Sequence, residues 1–167
     1  MNKNYPPVNQ MTQTQKIRIV KDIFSSITDK YDFLNRFLSL RQDIAWRNKT
    51  VKEMRFFKSY KLLDMATGTG DLAIDAVKMY PNIEATGLDF VHEMVDYGNK
   101  KIIKQNLEDR VKLKWGDALD IQYEDNTFDV AAIAFGIRNI PDKVKALNEL
   151  KRVVLVTGQI LILELTT

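Results

Sequence analysis

The sequence of 167 residues contains no cysteine, so it can form no disulfide and offers no thiol nucleophile. Its one histidine, His92, stands in no cluster of histidines and carboxylates with the spacing of a metal site, and we predict no bound metal. The first twenty residues are polar and lack the apolar core of a signal peptide. No apolar run reaches the roughly 18 residues of a membrane span. These absences are compatible with a reducing compartment, and we expect a cytoplasmic protein.

Positive charge is concentrated in the first third of the chain. The net charge is +3, but residues 1–61 carry +8 and the remainder carries −5. A basic arm of this kind can rest on an anionic membrane or on nucleic acid, and an ordinary solvated helix surface explains it equally well. We expect peripheral contact with a membrane and no nucleic-acid partner.

The most informative stretch is 62–71, which reads as a buried strand turning sharply into a helix. Residues 62–65 are short and mostly apolar, as in a parallel strand. Gly68 and Gly70 permit a tight turn and close approach of a ligand to the backbone. The helix that follows directs free N–H groups and its positive dipole end toward that turn. A nucleotide-like ligand is therefore expected over residues 66–71.

Two cofactor classes fit the glycine turn. Gly68-x-Gly70-x-x-Ala73 matches the dinucleotide fingerprint, with Asp89 placed to bind a ribose. Asp64 disfavours that reading, because a carboxylate so close to a pyrophosphate is electrostatically costly. It can instead accept hydrogen bonds from the turn or face a cationic cofactor. The pattern resembles motif I of the S-adenosylmethionine (SAM) methyltransferases, and the remaining alternative is a turn without ligand.

Strand and helix patterns alternate along the rest of the chain. Strands are predicted at 62–65, 83–89, 111–115, 128–134 and 160–165. This alternation predicts an α/β fold, a doubly wound Rossmann-like SAM-methyltransferase sheet of strand order 3-2-1-4-5. We predict one domain, 1–167, with a helical N-terminal cap over 1–60 and the core over 61–167.

The helices follow from apolar residues at helical spacing. In the cap, helices are expected from Thr12 or Thr14 and over 43–57, with an aromatic segment at 31–40 between them. A later helix is expected from Pro141, with Val144 and Val154 facing inward, and a break at 157–158 before the last strand.

Polar residues end several of the predicted strands, where doubly wound sheets bind their ligands. Asp89 can accept from both ribose hydroxyls, or cap the next helix. Asp117 can accept from the adenine amine and the Ala118 N–H can face a ring nitrogen, or Asp117 is a turn aspartate. Phe90 and Met94 flank the adenine or pack in the core.

Residues 15–165 resemble the demethylmenaquinone methyltransferases, which methylate the quinone ring in ubiquinone and menaquinone biosynthesis. The matching segments are Tyr31-Asp32-x-Leu34-Asn35-Arg36-x-Leu38-Ser39-Leu40, Trp46-Arg47, the loop from Asp64 to Leu72, Asp125-Asn126-Thr127-Phe128-Asp129 and Ala134-Phe135-Gly136-Ile137-Arg138-Asn139-Ile140-Pro141-Asp142. The resemblance implies SAM-dependent C-methylation of a prenylated, lipid-soluble quinol, most simply demethylmenaquinol. It also implies that Thr69, Asp89, Asp117, Ala118 and Ala134 contact SAM, with alanine at 134 where the family often has serine.

The predicted cofactor site therefore consists of Asp64, Ala66, Thr67, Gly68, Thr69, Gly70, Asp89, Phe90, Met94, Asp117, Ala118 and Ala134. The acceptor is expected between segment 31–40 and the loop 135–139, with Tyr31, Phe135, Arg138 and Asn139 as candidate contacts. Arg138 and Asn139 could instead brace their loop. The sequence does not identify a general base.

Two further readings stay open. The same core serves many acceptors, so another small molecule could be methylated, or the protein could bind SAM without turnover. The family fold normally continues past strand five, and we expect the short chain to bind SAM, to lose much of its turnover and to self-associate into a homo-oligomer through an open edge at 160–165.

Overall fold

The computed structural model describes residues 42–165 together with Ile19. The helix predicted from Thr12 or Thr14 and the aromatic segment 31–40 lie outside these residues. The helices are α1 (Gln42–Lys52), α2 (Asp71–Met79), α3 (His92–Ile103) and α4 (Lys143–Val153). The strands are β1 (Lys61–Met65), β2 (Glu84–Asp89), β3 (Val111–Trp115), β4 (Phe128–Ala134) and β5 (Val154–Leu163). A short 3-10 helix spans Ile137–Asn139.

The five strands form one sheet in the order β3-β2-β1-β4-β5, and every pairing is parallel. Asp64 in β1 lies opposite Gly87 in β2 and Ala132 in β4, so the carboxyl ends of the three central strands meet at one edge. The predicted α/β class and strand order are confirmed.

Successive residues of the central strands point to opposite faces of the sheet, which gives two apolar layers. On one face Leu62 and Val130 pack against α2 and α3 and against Val51 of α1. On the other face Leu63 and Ala131 pack against α4. Because both faces are covered, β1 and β4 are buried along almost their whole length, which explains their continuous apolar sequence.

The helix expected over 43–57 ends at Lys52, earlier than predicted. Asp129 in β4 holds residues 57–60 outside the helix: it is a fully buried carboxylate whose Oδ2 accepts their backbone N–H groups at 2.7–3.3 Å. The side chain of Gln159 binds the same connection, accepting from the Arg55 N–H at 2.6 Å and donating to the Glu53 carbonyl at 3.2 Å. These bonds fix the irregular link from α1 to β1, which bends at residues 57–59.

The last helix and strand also differ from the prediction. Asp142 caps α4 by accepting from the Lys145 N–H at 2.9 Å, and Val144 is 71% exposed rather than inward-facing. Val154 is buried, but it begins β5 instead of ending the helix. The predicted break at 157–158 lies inside β5, where the pairing with β4 shifts register between Phe128 and Val130.

Candidate functional site

A cleft opens at the carboxyl edge of the sheet, above β1, β2, β3 and β4. It encloses about 980 Å³ when the open space at its mouth is included. Its lining comes from the ends of these four strands and the segments that follow them: Met65, Ala66, Gly68, Asp89, Phe90, Val91, Met94, Gly116, Asp117, Ala118, Leu119, Ala134, Phe135, Gly136, Asn139, Ile140 and Pro141. Most of these side chains are small or apolar, and the carboxylates of Asp89 and Asp117 are the charged groups among them.

The floor of the cleft is the turn between β1 and α2. Ala66 (φ 55°), Gly68 (φ 57°) and Gly70 (φ 81°) all adopt left-handed backbone conformations there. Such conformations suit glycine, and the strain at Ala66 is tolerated where the surroundings fix the backbone. The Thr67 N–H donates to the Leu88 carbonyl at 3.0 Å, which ties the turn to the end of β2. The turn is thus a fixed surface.

Asp64 stabilises this turn from below. Its Oδ2 accepts from the Thr67 hydroxyl at 2.6 Å, and the carboxylate also accepts the backbone N–H of Ala73 in α2. The side chain is buried and does not line the cleft. Burial raises the pKa of Asp64 to about 7, although the Thr67 and Ala73 hydrogen bonds favour the charged form. Of the two roles considered from the sequence, hydrogen bonding to the turn is the observed one.

Asp89 lines the cleft and also braces the loops beside it. Its Oδ2 accepts from the Gly68 N–H at 2.8 Å and its Oδ1 from the Val91 N–H at 2.9 Å. Burial raises its pKa from the ordinary value, opposed by the N–H groups of Val91, Gly68 and Phe90. The N-cap of α3 is Val91 and no side chain caps it, so the predicted capping role of Asp89 is not observed, and the carboxylate remains in contact with the cavity.

The wall formed after β2 and β3 contains four of the predicted residues. Phe90, Met94, Asp117 and Ala118 all line the cleft. Asp117 is exposed and accepts from the Leu119 N–H at 2.9 Å, as a turn aspartate does, while Met94 is almost fully buried. A planar ligand could lie between the apolar side chains and meet Asp117 at its edge.

The opposite wall is the loop after β4. Phe135 has a left-handed backbone (φ 57°), and its N–H donates to the Leu163 carbonyl at 2.8 Å. Gly136 passes so close to the glycine turn that a Cβ there would lie 2.6 Å from the Cβ of Ala66. Asn139 lines the cleft. Arg138 does not: its guanidinium binds the carboxylate of Glu164, and its side chain is 51% exposed.

Ten predicted residues thus come together around one cleft: Ala66, Gly68, Asp89, Phe90, Met94, Asp117, Ala118, Ala134, Phe135 and Asn139. Asp64, Thr67, Thr69, Gly70 and Arg138 lie near it without lining it, and Tyr31 lies outside the described residues. Sequence reasoning missed Met65, Val91, Gly116, Leu119, Gly136, Ile140 and Pro141. Each of these lies within two residues of a predicted one, so the strand-end rule could have included them.

The fold and the cleft at its carboxyl edge are those of the SAM-dependent methyltransferases. A SAM-dependent methyltransferase from Aquifex aeolicus superposes with a TM-score of 0.63 and 29% identity, covering 70% of this chain and 62% of that one. Geranyl diphosphate C-methyltransferase from Streptomyces coelicolor, solved with S-adenosyl-L-homocysteine, shares the fold with a TM-score of 0.57 at 18% identity, over 60% of this chain and 37% of that one.

Sequence comparison narrows the class to one family. Residues 10–167 match the profile of the ubiE/COQ5 methyltransferase family, and the chain belongs to that family. The ubiquinone/menaquinone biosynthesis C-methyltransferase UbiE of Geotalea daltonii is 38% identical over 155 residues, 92% of this chain. The demethylmenaquinone methyltransferase of Lactobacillus johnsonii is 39% identical over 160 residues, 94% of this chain. The chain spans 66% of the length of each relative. The predicted family resemblance is confirmed.

No helix in residues 42–165 is both long and apolar enough to cross a membrane.

Proposed function

We propose that the protein is a SAM-dependent C-methyltransferase that converts a prenylated demethylmenaquinol to menaquinol. The observation that carries this proposal is the cleft that joins Ala66 and Gly68 of the glycine turn to the carboxylates of Asp89 and Asp117. Membership of the ubiE/COQ5 family and relatives named for this reaction support the choice of acceptor.

The residues present fit SAM. Asp89 keeps acceptor capacity beyond the backbone N–H groups of Gly68, Val91 and Phe90 and would take the ribose hydroxyls. Asp117, with the backbone of Ala118, would meet the adenine edge, and Phe90 and Met94 would flank its faces. The methionine end would then lie over the glycine turn, toward Ala134. Because Ala134 has no polar side chain, only its backbone could contribute there.

Methyl transfer makes modest demands on the protein. Bound SAM supplies a methyl group on a sulfonium that an attacking carbon can displace in line. The protein must hold that carbon about 3 Å from the methyl group and exclude water. A ring carbon of a quinol becomes nucleophilic when a ring hydroxyl loses its proton, so a group that accepts the proton or stabilises the oxyanion should be close.

Among the described residues, Phe135 and Asn139 are placed to contact such a ring. They line the wall opposite Asp89 and Asp117, and the Asn139 amide can donate to a ring oxygen. The general base is not assigned. Tyr31 remains a sequence-based candidate, and Arg138 would need to leave Glu164 to reach the acceptor.

Calorimetric titration with SAM and, separately, with NAD tests the cofactor. We expect micromolar binding of SAM and none of NAD. Transfer of a labelled methyl group from SAM to demethylmenaquinol in detergent then tests the reaction, with a demethyl-ubiquinol and a water-soluble phenol as competing acceptors. Binding of NAD instead of SAM would refute the cofactor assignment. Preferred methylation of the phenol would refute the acceptor.

We also propose that the basic N-terminal third helps the protein to meet its lipid-soluble acceptor at a membrane surface. The support is the net charge of +8 in residues 1–61. Electrostatic attraction to anionic lipid weakens with ionic strength. Co-sedimentation with anionic vesicles should therefore fall as salt rises, and neutral vesicles should not bind. An absence of binding to anionic vesicles at low salt would refute this proposal.

A further inference from the structure

Helix α1 is joined to the first turn of α2 by one arginine. Arg47 donates from NH1 to Asp43 Oδ2 at 2.7 Å within α1. Its NH2 lies 3.4 Å from Asp71 Oδ2, and its Nε lies 3.4 Å from Asp75 Oδ2. Asp71 is the first residue of α2 and directly follows Gly70, so one guanidinium fork reaches the helix that begins at the glycine turn.

The same turn is held from its other side by α3. Lys101 Nζ donates to Asp71 Oδ1 at 2.6 Å and to the Thr69 hydroxyl at 2.8 Å. Asp71 therefore binds Lys101 through one oxygen and Arg47 through the other. Residues 69–71 cannot shift along the cleft without breaking one of these pairs.

The residue before Arg47 reaches the opposite wall of the cleft. The indole of Trp46 packs on the ring of Phe135 with 6.1 Å between centroids and an interplanar angle of 54°. Phe135 lines the cleft. Neighbouring residues of α1 thus contact both the glycine-turn side and the side formed by the loop after β4.

The environment of Arg47 makes these contacts strong. Its side chain is only 11% exposed. Burial disfavours the charged guanidinium, but Asp71, Asp43 and Asp75 outweigh that cost and raise the pKa of Arg47. A fork of fixed geometry can satisfy several carboxylates at once, whereas a lysine ammonium is a single point of charge.

We propose that Arg47 is a positioning residue for the cofactor: acting through Asp71 and Asp75, it fixes the glycine turn under the amino-acid end of SAM. The proposal rests on the proposed function, since it needs the adenosine half to lie at Asp89 and Asp117. It assigns to α1 a part in cofactor binding although neither Trp46 nor Arg47 lines the cleft. A residue that merely stabilised the fold would affect both halves of the ligand alike.

The test compares two ligands that differ at the amino-acid end. S-adenosylhomocysteine carries that end, and 5′-methylthioadenosine lacks it. Arg47→Lys should lower the affinity for S-adenosylhomocysteine by about fivefold or more, which is the lower range of coupling between distinct sites. The affinity for 5′-methylthioadenosine should stay unchanged. Calorimetry on the full chain measures both affinities, and the unfolding temperature of each variant is recorded beside them. Arg47→Lys keeps the charge and removes only the guanidinium fork. Wild-type affinities for both ligands in this variant would therefore overturn the proposal.

Arg110, in the turn before β3, supplies a matched control because it contacts the other end of α2. Its NH2 donates to the carbonyls of Val77 at 2.6 Å and Tyr80 at 2.8 Å, at the far end of α2 from the glycine turn. Arg110→Lys should lower the unfolding temperature without separating the two ligands. The same selective loss in Arg110→Lys, or an equal loss of both ligands in Arg47→Lys, would overturn the proposal.

Two further results distinguish failure of this proposal from failure of the variant or of the proposed function. Should Arg47→Lys fail to fold, Asp75→Asn removes one partner of the fork and is expected to reproduce the selective loss at smaller size; an unselective Asp75→Asn would then refute the role of Arg47. Failure of the wild-type protein to bind either ligand would instead refute the proposed function.

Discussion

The buried carboxylate of Asp64 should make the stability of the protein fall as pH rises. Burial raises its pKa from the ordinary value of 3.8 to about 7 in the folded state. Between these two values the folded protein binds the proton and the unfolded chain does not. Stability therefore decreases with pH across this window, and the full stability is present only below about pH 4.

The size of the effect follows from the width of that window. Each pH unit costs about 1.4 kcal/mol while one proton separates the two states, so a window of roughly three units amounts to about 4 kcal/mol. Between pH 5 and pH 8 the expected loss is roughly 2–3 kcal/mol. Other groups titrate in this range too, so the contribution of Asp64 must be isolated by difference.

Urea unfolding of the wild type and Asp64→Asn at pH 5, 6, 7 and 8 isolates the contribution of Asp64 to the free energy of unfolding. The difference in free energy of unfolding should move by the expected amount in favour of Asp64→Asn as pH rises, since asparagine cannot ionise. Asp96→Asn in α3 is the control, because it removes a carboxylate that solvent already reaches. A pH-independent difference between the wild type and Asp64→Asn would show that this carboxylate ionises in the folded protein without the cost of burial.

Four further outcomes are expected. Asp89→Ala should weaken SAM by at least about tenfold, or 1.4 kcal/mol, by calorimetry, and unchanged affinity would remove Asp89 from the ribose site. Asp129→Asn should destabilise the fold by about 1–3 kcal/mol in urea unfolding, because its backbone donors lose a charged acceptor; an unaffected midpoint would contradict this. Arg138→Ala should lower methyl transfer and spare SAM affinity if Arg138 serves the acceptor, whereas matching losses in Arg138→Ala and Glu164→Gln would assign the pair to bracing the loop. In sedimentation, Leu163→Lys should dissociate the predicted homo-oligomer, and a monomeric wild type would refute pairing through β5.

The central sheet could be predicted because each of its strands can be recognised from its own residues. Strands β1 and β4 are covered on both faces, so their sequences are almost continuously apolar, and polar residues follow where the strands end. The rule that ligands bind beyond the carboxyl ends of parallel strands then predicted that Asp89, Asp117 and Ala134 lie together at one edge of the sheet. The cleft confirms that these residues line one cavity.

Element ends that depend on distant partners could not be read from local pattern. Residues 57–60 stay outside helix α1 because Asp129, about seventy residues further on, takes their N–H groups. The predicted break at Thr157 and Gly158 coincides with an irregularity inside β5, where the residue opposite β4 changes from Val154 to Gln159. Gly158 lies where a Cβ would be 2.6 Å from the Asp129 carbonyl oxygen, a close approach that the local sequence pattern cannot show.

Local pattern also could not distinguish Asp64 from Asp89, both of which the sequence analysis assigns to the cofactor site. Asp64 is 1% exposed, so its hydrogen bonds to Thr67 and Ala73 leave it no contact with the cavity. Asp89 is 9% exposed and accepts the backbone N–H groups of Gly68, Val91 and Phe90, although a carboxylate has about four lone-pair positions. In the proposed function Asp64 therefore acts through the turn, and Asp89 is the carboxylate that would meet the ligand directly. At Asp89 the backbone bonds would favour binding, because they fix the carboxylate in advance and reduce the entropy lost on association.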